Sequence, residues 1–186
     1  PANYIYIGKF SAFIDNHYNE KIFEFKLDIP MSSEDRFNER KDVLAKVDKC
    51  LKDQQQFVAN QIAQGIKKSF LKPDDNVSKS DILYALKDFG ENVIAKTEAK
   101  EKIVILASDM LENSTITSFY SKGVTRLIQA DTELNKIQKE DLFSNFDNSN
   151  IYIIGTGLIA SKENNKTYRD PKILGSLKDF WTKYFA

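Results

Sequence analysis

Lys102-Ile103-Val104-Ile105-Leu106-Ala107-Ser108-Asp109-Met110-Leu111-Glu112-Asn113 is the stretch on which the reading of this chain turns. Past its leading lysine it is apolar on both faces and rich in β-branched side chains, as expected of a strand buried in a parallel sheet. It runs straight into Ser108 and Asp109. The acidic residue therefore falls at the carboxyl edge of the sheet, where open α/β sheets gather their ligand and ion sites. A second run of the same kind, Ile151-Tyr152-Ile153-Ile154, ends at Gly155.

Upstream, the chain opens with what reads as a β-hairpin. Tyr4 to Ile7 is β-branched and aromatic throughout. Phe23, Phe25, Leu27 and Ile29 alternate with Glu24, Lys26 and Asp28, which predicts one apolar face and one wet face. Asp15 to Asn19 supplies turn formers, and Pro30 ends the second strand. One long helix is predicted from Ser33 to Leu71, capped by Ser32 or Ser33. Its apolar stripe is Phe37, Leu44, Val47, Leu51, Val58, Ile62, Ile66 and Phe70, and Gly65 marks a kink or a break. After a loop at Pro73 to Asn76, Ser78 or Ser80 caps a helix whose core face is Ile82, Leu86, Phe89 and Val93.

Downstream, Gly123 to Phe146 is polar with scattered apolar residues and predicts one or two helices. Ser161 to Arg169 reads as a polar surface loop. Asp170-Pro171 is an N-cap followed by proline at the first helical position. The last helix carries Leu174, Leu177, Phe180, Trp181, Tyr184 and Phe185 and should dock on a sheet. The order hairpin, helix, helix, strand, helix, strand, helix predicts an α/β protein. Its expected form is a three-layer α/β/α sandwich, mainly parallel and Rossmann-like, with an antiparallel edge hairpin. Residues 1–186 are expected to form a single domain.

Composition narrows the function. Lys+Arg and Asp+Glu are 27 each, so the formal charge is zero, which argues against an obligate nucleic-acid binder. The longest apolar run, Ile103 to Ala107, is far short of the roughly 20 residues needed to span a bilayer. One cysteine excludes an internal disulfide, and no Cys/His cluster builds a zinc site. The opening PANYIYIGKF is no intact signal peptide. A single cysteine suits a reducing cytoplasm, while a removed signal peptide would suit the periplasm or cell envelope.

The hydroxyl at a helix start (Ser80-Asp81-Ile82), the strand ending in Ser108-Asp109 and the later strand ending in Gly155 resemble, in that order, the von Willebrand factor A (vWA) fold. The segments SDMLENS, SFY and LKDFWTKYF, with FEFKLDIP before the long helix, are similar to uncharacterised bacterial vWA-like proteins. The resemblance covers most of residues 4–185 and rests on order and spacing. It implies a metal-ion-dependent adhesion site for a divalent cation, magnesium or manganese. By position, Ser80 matches the family's Thr ligand and Asp109 the Asp of its Thr-Asp-Gly. Ser108 then stands where the family has Thr, and Met110 where it has Gly. The main Asp-x-Ser-x-Ser ligand loop is absent from the chain. The hairpin matches the family's second and third strands, so its first strand and helix are expected upstream of Pro1 or from another chain.

Each candidate also has a plainer role. Asp109 is a cation ligand, or a carboxylate closing a turn or capping the next helix. Ser80 is a hydroxyl ligand or an ordinary N-cap. Ser108 as a nucleophile would need a base, and the one histidine, His17, lies in the hairpin turn. Gly155-Thr156-Gly157, with Ala160, is a weak phosphate loop or a tight turn at the sheet edge. Lys67, Lys68 and Lys72 complement a helix C-terminus. Phe119 and Tyr120 are an exposed anchor for a partner or packing beneath the Asp109 loop. Arg169 pairs with nearby carboxylates or a partner, or is a surface arginine.

The expected function is a non-enzymatic protein-interaction module of vWA type, with a partial or degenerate adhesion site. Asp109 and Ser80 form the site; Ser108, Glu112, Phe119, Tyr120 and Arg169 form its rim. A Rossmann-like enzyme with metal-assisted hydrolytic or nucleotide-linked activity is the alternative. It needs a second carboxylate or a base near Asp109, for which Glu112 and Asp131 are the candidates. A third reading is a structural component that dimerises through an exposed stripe on the long helix.

Overall fold

The computed structural model describes residues 3–14, 17–70, 79–158 and 170–186. Two compact units divide the chain, one of residues 1–9 and 20–75, the other of residues 10–19 and 76–186.

The first unit contains most of the hairpin. Strands β1 (Asn3–Ile14) and β2 (His17–Leu27) form a two-stranded sheet. The expected hairpin is present, but His17, Tyr18 and Asn19, assigned to the turn, lie in β2. Extending the ladder to within two residues of the tip pairs backbone groups that a wide loop would leave to solvent. Across the strands the Tyr4 hydroxyl donates to Glu24 at 2.7 Å. Ile29 lies beyond β2 and is 60% exposed, so the alternating face stops at Leu27.

The predicted single helix is two helices, α1 (Ser33–Asn38) and α2 (Lys41–Phe70). Ser32 caps α1, its hydroxyl accepting from the Asp35 N–H at 3.1 Å. The break falls at Glu39, whose backbone is extended (φ −96°, ψ 155°). Its carboxylate accepts from the Arg40 N–H at 2.8 Å, and the Arg40 carbonyl accepts from the Leu44 N–H at 3.0 Å. Groups orphaned at the two helix ends thus find partners at the junction. Arg36 folds α1 back on α2 through a two-pronged pair with Asp48, at 2.6 and 2.8 Å. Phe37 is 89% exposed and has no part in the stripe. Gly65 marks no break. It is buried inside α2, where an added Cβ would touch Ile22 and Ile7 at 3.5 and 3.6 Å, so it is a packing contact. The Gln54 amide bonds Asp28 twice, tying α2 to the end of the hairpin.

The second unit is mixed α and β. Helix α3 (Ile82–Phe89) continues as a π-helical turn over Gly90–Ile94. Strand β3 (Ile103–Ala107) pairs in parallel with β6 (Asn150–Ile154), Ile103 opposite Asn150 and Ala107 opposite Ile154. Between them lie the small hairpin β4 (Tyr120–Ser121) and β5 (Val124–Thr125), then α4 (Ala130–Lys139). That hairpin is additional to the elements expected from the sequence. Its turn is Lys122-Gly123, both at positive φ (51° and 79°), the conformation that matches strand twist in a two-residue hairpin. Helix α5 (Pro171–Tyr184) starts as predicted, the Asp170 carboxylate accepting from the Lys172 N–H at 2.8 Å.

The parallel sheet departs from expectation: among the described residues it has two strands, the hairpins β1–β2 and β4–β5 form separate sheets and not its edge, and it is packed on one face. Val104 and Leu106 are buried, whereas Ile103, Ile105, Tyr152 and Ile154 are 58–63% exposed. The core lies on the packed face and is closed by α5. Leu177, Phe180, Trp181 and Tyr184 meet Ile82, Leu83, Leu86, Met110, Leu111, Phe119 and Ile137 in one cluster. Phe119 stands edge-on to Phe180 at 4.9 Å. The tip of the long hairpin belongs to this unit. Tyr18 stacks on Tyr84 at 5.4 Å, and the Asn19 amide donates to the Ala85 carbonyl at 2.9 Å.

Candidate functional site

The carboxyl ends of β3 and β6 are fastened to each other. The Ser108 N–H donates to the Ile154 carbonyl at 3.0 Å, and the Gly157 N–H to the Asp109 carbonyl at 2.7 Å. Gly155 and Gly157 take φ of 93° and 76°, and a Cβ on Gly155 would stand 3.3 Å from the Ser108 carbonyl oxygen. The Gly155-Thr156-Gly157 segment is therefore a tight turn at the sheet edge, as the plainer reading held. Its second glycine amide is engaged with Asp109. Ala160 lies outside the described residues.

The loop after β3 is built from short-range bonds. The Ser108 hydroxyl accepts from the Met110 N–H at 3.0 Å, and the Asp109 carboxylate from the Leu111 N–H at 3.1 Å. These are the turns that serine and aspartate form with backbone two residues on. Met110 sits between them at φ 56°, in the left-handed region, with its side chain fully buried. Its carbonyl accepts from the Trp181 indole at 3.0 Å. Asn113 pairs its backbone with Ser80 in both directions, at 3.0 and 3.1 Å, and bridges to Ser118. The Phe119 N–H donates to the Glu112 carbonyl at 2.8 Å. The loop is thus tied to β6, α5, the start of α3 and its own return limb.

Ser80 does not cap α3. Asp81 holds the cap position and makes no side-chain cap bond. The donor at the helix start, the Leu83 N–H, goes instead to Glu112 Oε2 at 3.0 Å. Glu112 was expected on the rim, but it is fully buried. Burial pushes its carboxyl up to about 7, the Ser114 hydroxyl and the Leu83 N–H pull it down, and Asp81 adds a further rise. Phe119, offered as an exposed anchor, is also fully buried; Tyr120 is half-buried against the core. The packing alternative holds for both. Ser108 and Asp109 remain half-exposed at the edge. Arg169 lies outside the described residues.

A second buried carboxylate pins the loop's return limb. Glu133 accepts from Thr117 Oγ1 at 2.6 Å, Arg126 at 2.7 Å and Lys136 at 2.8 Å. Burial pushes its carboxyl up, but these bonds outweigh burial and hold it below its ordinary value. Asp131, the other carboxylate proposed for an enzyme, pairs with Lys183 at 2.9 Å. Lys67 and Lys68 fill the last turn of α2, where they complement the helix dipole; Lys72 lies outside the described residues.

As for a cation, Asp109 stands at the sheet edge, and Ser80 pairs its backbone with Asn113 further along the same loop. Among the described residues no group of three or more His, Cys, Asp or Glu side chains is placed to hold a metal ion. Magnesium takes six oxygens, several from water, and one carboxylate with one hydroxyl is the low end of what it accepts. Among the described residues, too, no helix is long and apolar enough to cross a membrane.

Residue-level reading of the sequence missed Trp181 as the clamp on Met110, and Glu112 as the cap of α3. The lone tryptophan in an amphipathic last helix was the available signal for the first. For the second there was none, because the two residues are 29 apart in sequence. The fold and site define a mixed α/β chain with a small parallel sheet, antiparallel hairpins and a braced acidic loop at the carboxyl edge. No family model matches the chain, and neither a curated protein nor a solved structure matches it.

Proposed function

We propose that the chain is a non-enzymatic protein-interaction module of vWA type, whose binding surface is the carboxyl edge of the β3/β6 sheet. On this reading the second unit is the remaining part of a three-layer sandwich, and Ser80 and Asp109 are the surviving part of its adhesion site. The observation that carries the reading is the bracing of the Ser108–Tyr120 loop. Backbone bonds to β6, Ser80 and its own return limb, with the Trp181 bond, hold it in one shape while Ser108 and Asp109 stay at the surface. A surface ordered before it meets a partner loses little entropy on binding. Met110 adds support: its left-handed backbone occurs where the family has glycine.

The partner contacts are Asp109, the Ser108 side of the loop and the exposed Thr115. A partner lysine or arginine would meet Asp109 directly; a partner carboxylate would meet it through a divalent cation. The test is affinity for a cross-linked and purified partner, measured with Asp109→Ala and Thr115→Arg, and with Lys139→Glu on α4 as control. The expected result is at least a tenfold loss for the two rim variants and none for the control. Unchanged affinity in both rim variants overturns the reading. Calorimetry with magnesium and manganese on the wild-type chain and on Asp109→Ala separates the two modes. Saturable binding lost in the variant assigns a cation-bridged contact, and no binding assigns a direct one.

A further inference from the structure

The two buried carboxylates beside the edge loop are satisfied very differently. Glu133 spends both oxygens on three partners, two of them cations. Glu112 is fully buried, gives one oxygen to the Leu83 N–H, and leaves Oε1 without a hydrogen-bond partner. A buried carboxylate with an unmet oxygen is costly while charged. The charged and titratable groups that act on it make this worse. Asp81, from the start of α3, brings a like charge. Tyr184, from α5, is raised by its own burial first and then by Glu112, so it stays a neutral phenol. The Ser114 hydroxyl and the Leu83 and Ile82 N–H groups favour the anion, but none of them makes a hydrogen bond to Oε1.

We propose that Glu112 is a proton-controlled latch joining the edge loop to the start of α3. Protonated, it is a neutral acid that keeps the Leu83 bond and no longer buries a half-satisfied charge. Ionised, it carries a buried, half-satisfied charge that water relieves when the junction opens. The junction also holds the paired backbone of Ser80 and Asn113, the Phe119 N–H on the Glu112 carbonyl, and the buried side chains of Ile82, Leu83 and Leu111 in the shared core. Opening there frees the Glu112–Ser118 part of the loop from the start of α3, while the bonds of Ser108 and Asp109 to the β6 end and of Met110 to Trp181 stay in place. The latch is a property of the loop itself. Its use in controlling a partner rests on the binding reading above, and the following test needs no partner, so the two can fail separately.

The direction follows from linkage. The folded chain holds this proton to higher pH than the open one, so closure is strongest below the ordinary carboxyl range. It weakens as pH rises toward 7 and is flat beyond. Hydrogen exchange of segments 80–86 and 112–118, corrected for its intrinsic pH dependence, reads this between pH 5 and 8. Protection of both segments is expected to fall at least tenfold, with the middle of α2 unchanged. Glu112→Gln should be flat, and Asp81→Asn should move the transition to lower pH. Protection that does not change with pH in the wild-type chain, or that falls equally in Glu112→Gln, overturns the proposal. Should Glu112→Gln fail to fold, Asp81→Asn decides: an unmoved transition overturns the latch, and a shifted one upholds it.

Discussion

Met110 holds a backbone angle that glycine adopts without strain, yet its side chain is fully buried. The two demands oppose each other, and magnitudes decide between them. Relief of a left-handed residue is worth roughly 1–2 kcal/mol. Removing a buried methionine costs about 2–5 kcal/mol. Met110→Gly should therefore destabilise the chain by about 1–3 kcal/mol in urea denaturation, although it relaxes the backbone. A stabilised variant would mean the side chain contributes little to the core. At this scale the sequence was half legible. Ser108 and Asp109 announced an edge, because an apolar run that stops at a hydroxyl and a carboxylate leaves them little other place. The burial of Glu112 and Phe119 was hidden. Both stand in a polar, turn-like context, and their partners, Leu83 and Phe180, are remote in sequence.

Among elements, α5 does the most to fix the loop. Its Trp181 indole is the donor for the Met110 carbonyl, and the ring stands against Phe119, Phe180 and Tyr184. Trp181→Phe keeps much of the aromatic packing and removes the donor. A buried carbonyl left unpaired costs about 1–3 kcal/mol. The variant should lose that much in denaturant, with faster exchange of segment 108–120 than of α4. Equal acceleration in both segments would show α5 to be a general support with no special hold on the loop. The sequence foretold this helix well, because Asp170-Pro171 and the spacing of Leu177, Phe180, Trp181 and Tyr184 are local signals. It foretold the Ser33–Leu71 helix less well. The break at Glu39 needs only one extended residue and a side-chain oxygen for the next amide, and neither disturbs apolar periodicity. The β4–β5 hairpin escaped for a related reason: two-residue strands show no alternation.

For the molecule as a whole, the β3/β6 sheet is the telling feature. Fully apolar strands predicted burial on both sides, and the structure packs one side. Side chains as exposed as Ile105 contribute little to stability, and substitutions at such positions change it by about 0.5 kcal/mol or less. Ile105→Thr keeps a β-branched residue and should move the melting temperature by no more than about 2 °C. A larger drop in the isolated chain would mean that the face is covered in solution. The α/β class was legible because β-branched runs and helical periodicity are each local. Sheet size was not, since it depends on which segments come together.

The register of β3 with β6 also has a consequence for biosynthesis. Paired positions in its two strands stand 47 residues apart in sequence, as Ile103 and Asn150 do, and leave a ribosome in N- to C-terminal order, at about 5–20 residues per second. For several seconds Ile103 to Ala107 has neither its neighbour nor α5. During that interval the nascent chain presents a bare, sticky ribbon, the kind of segment that chaperones at the ribosome exit bind.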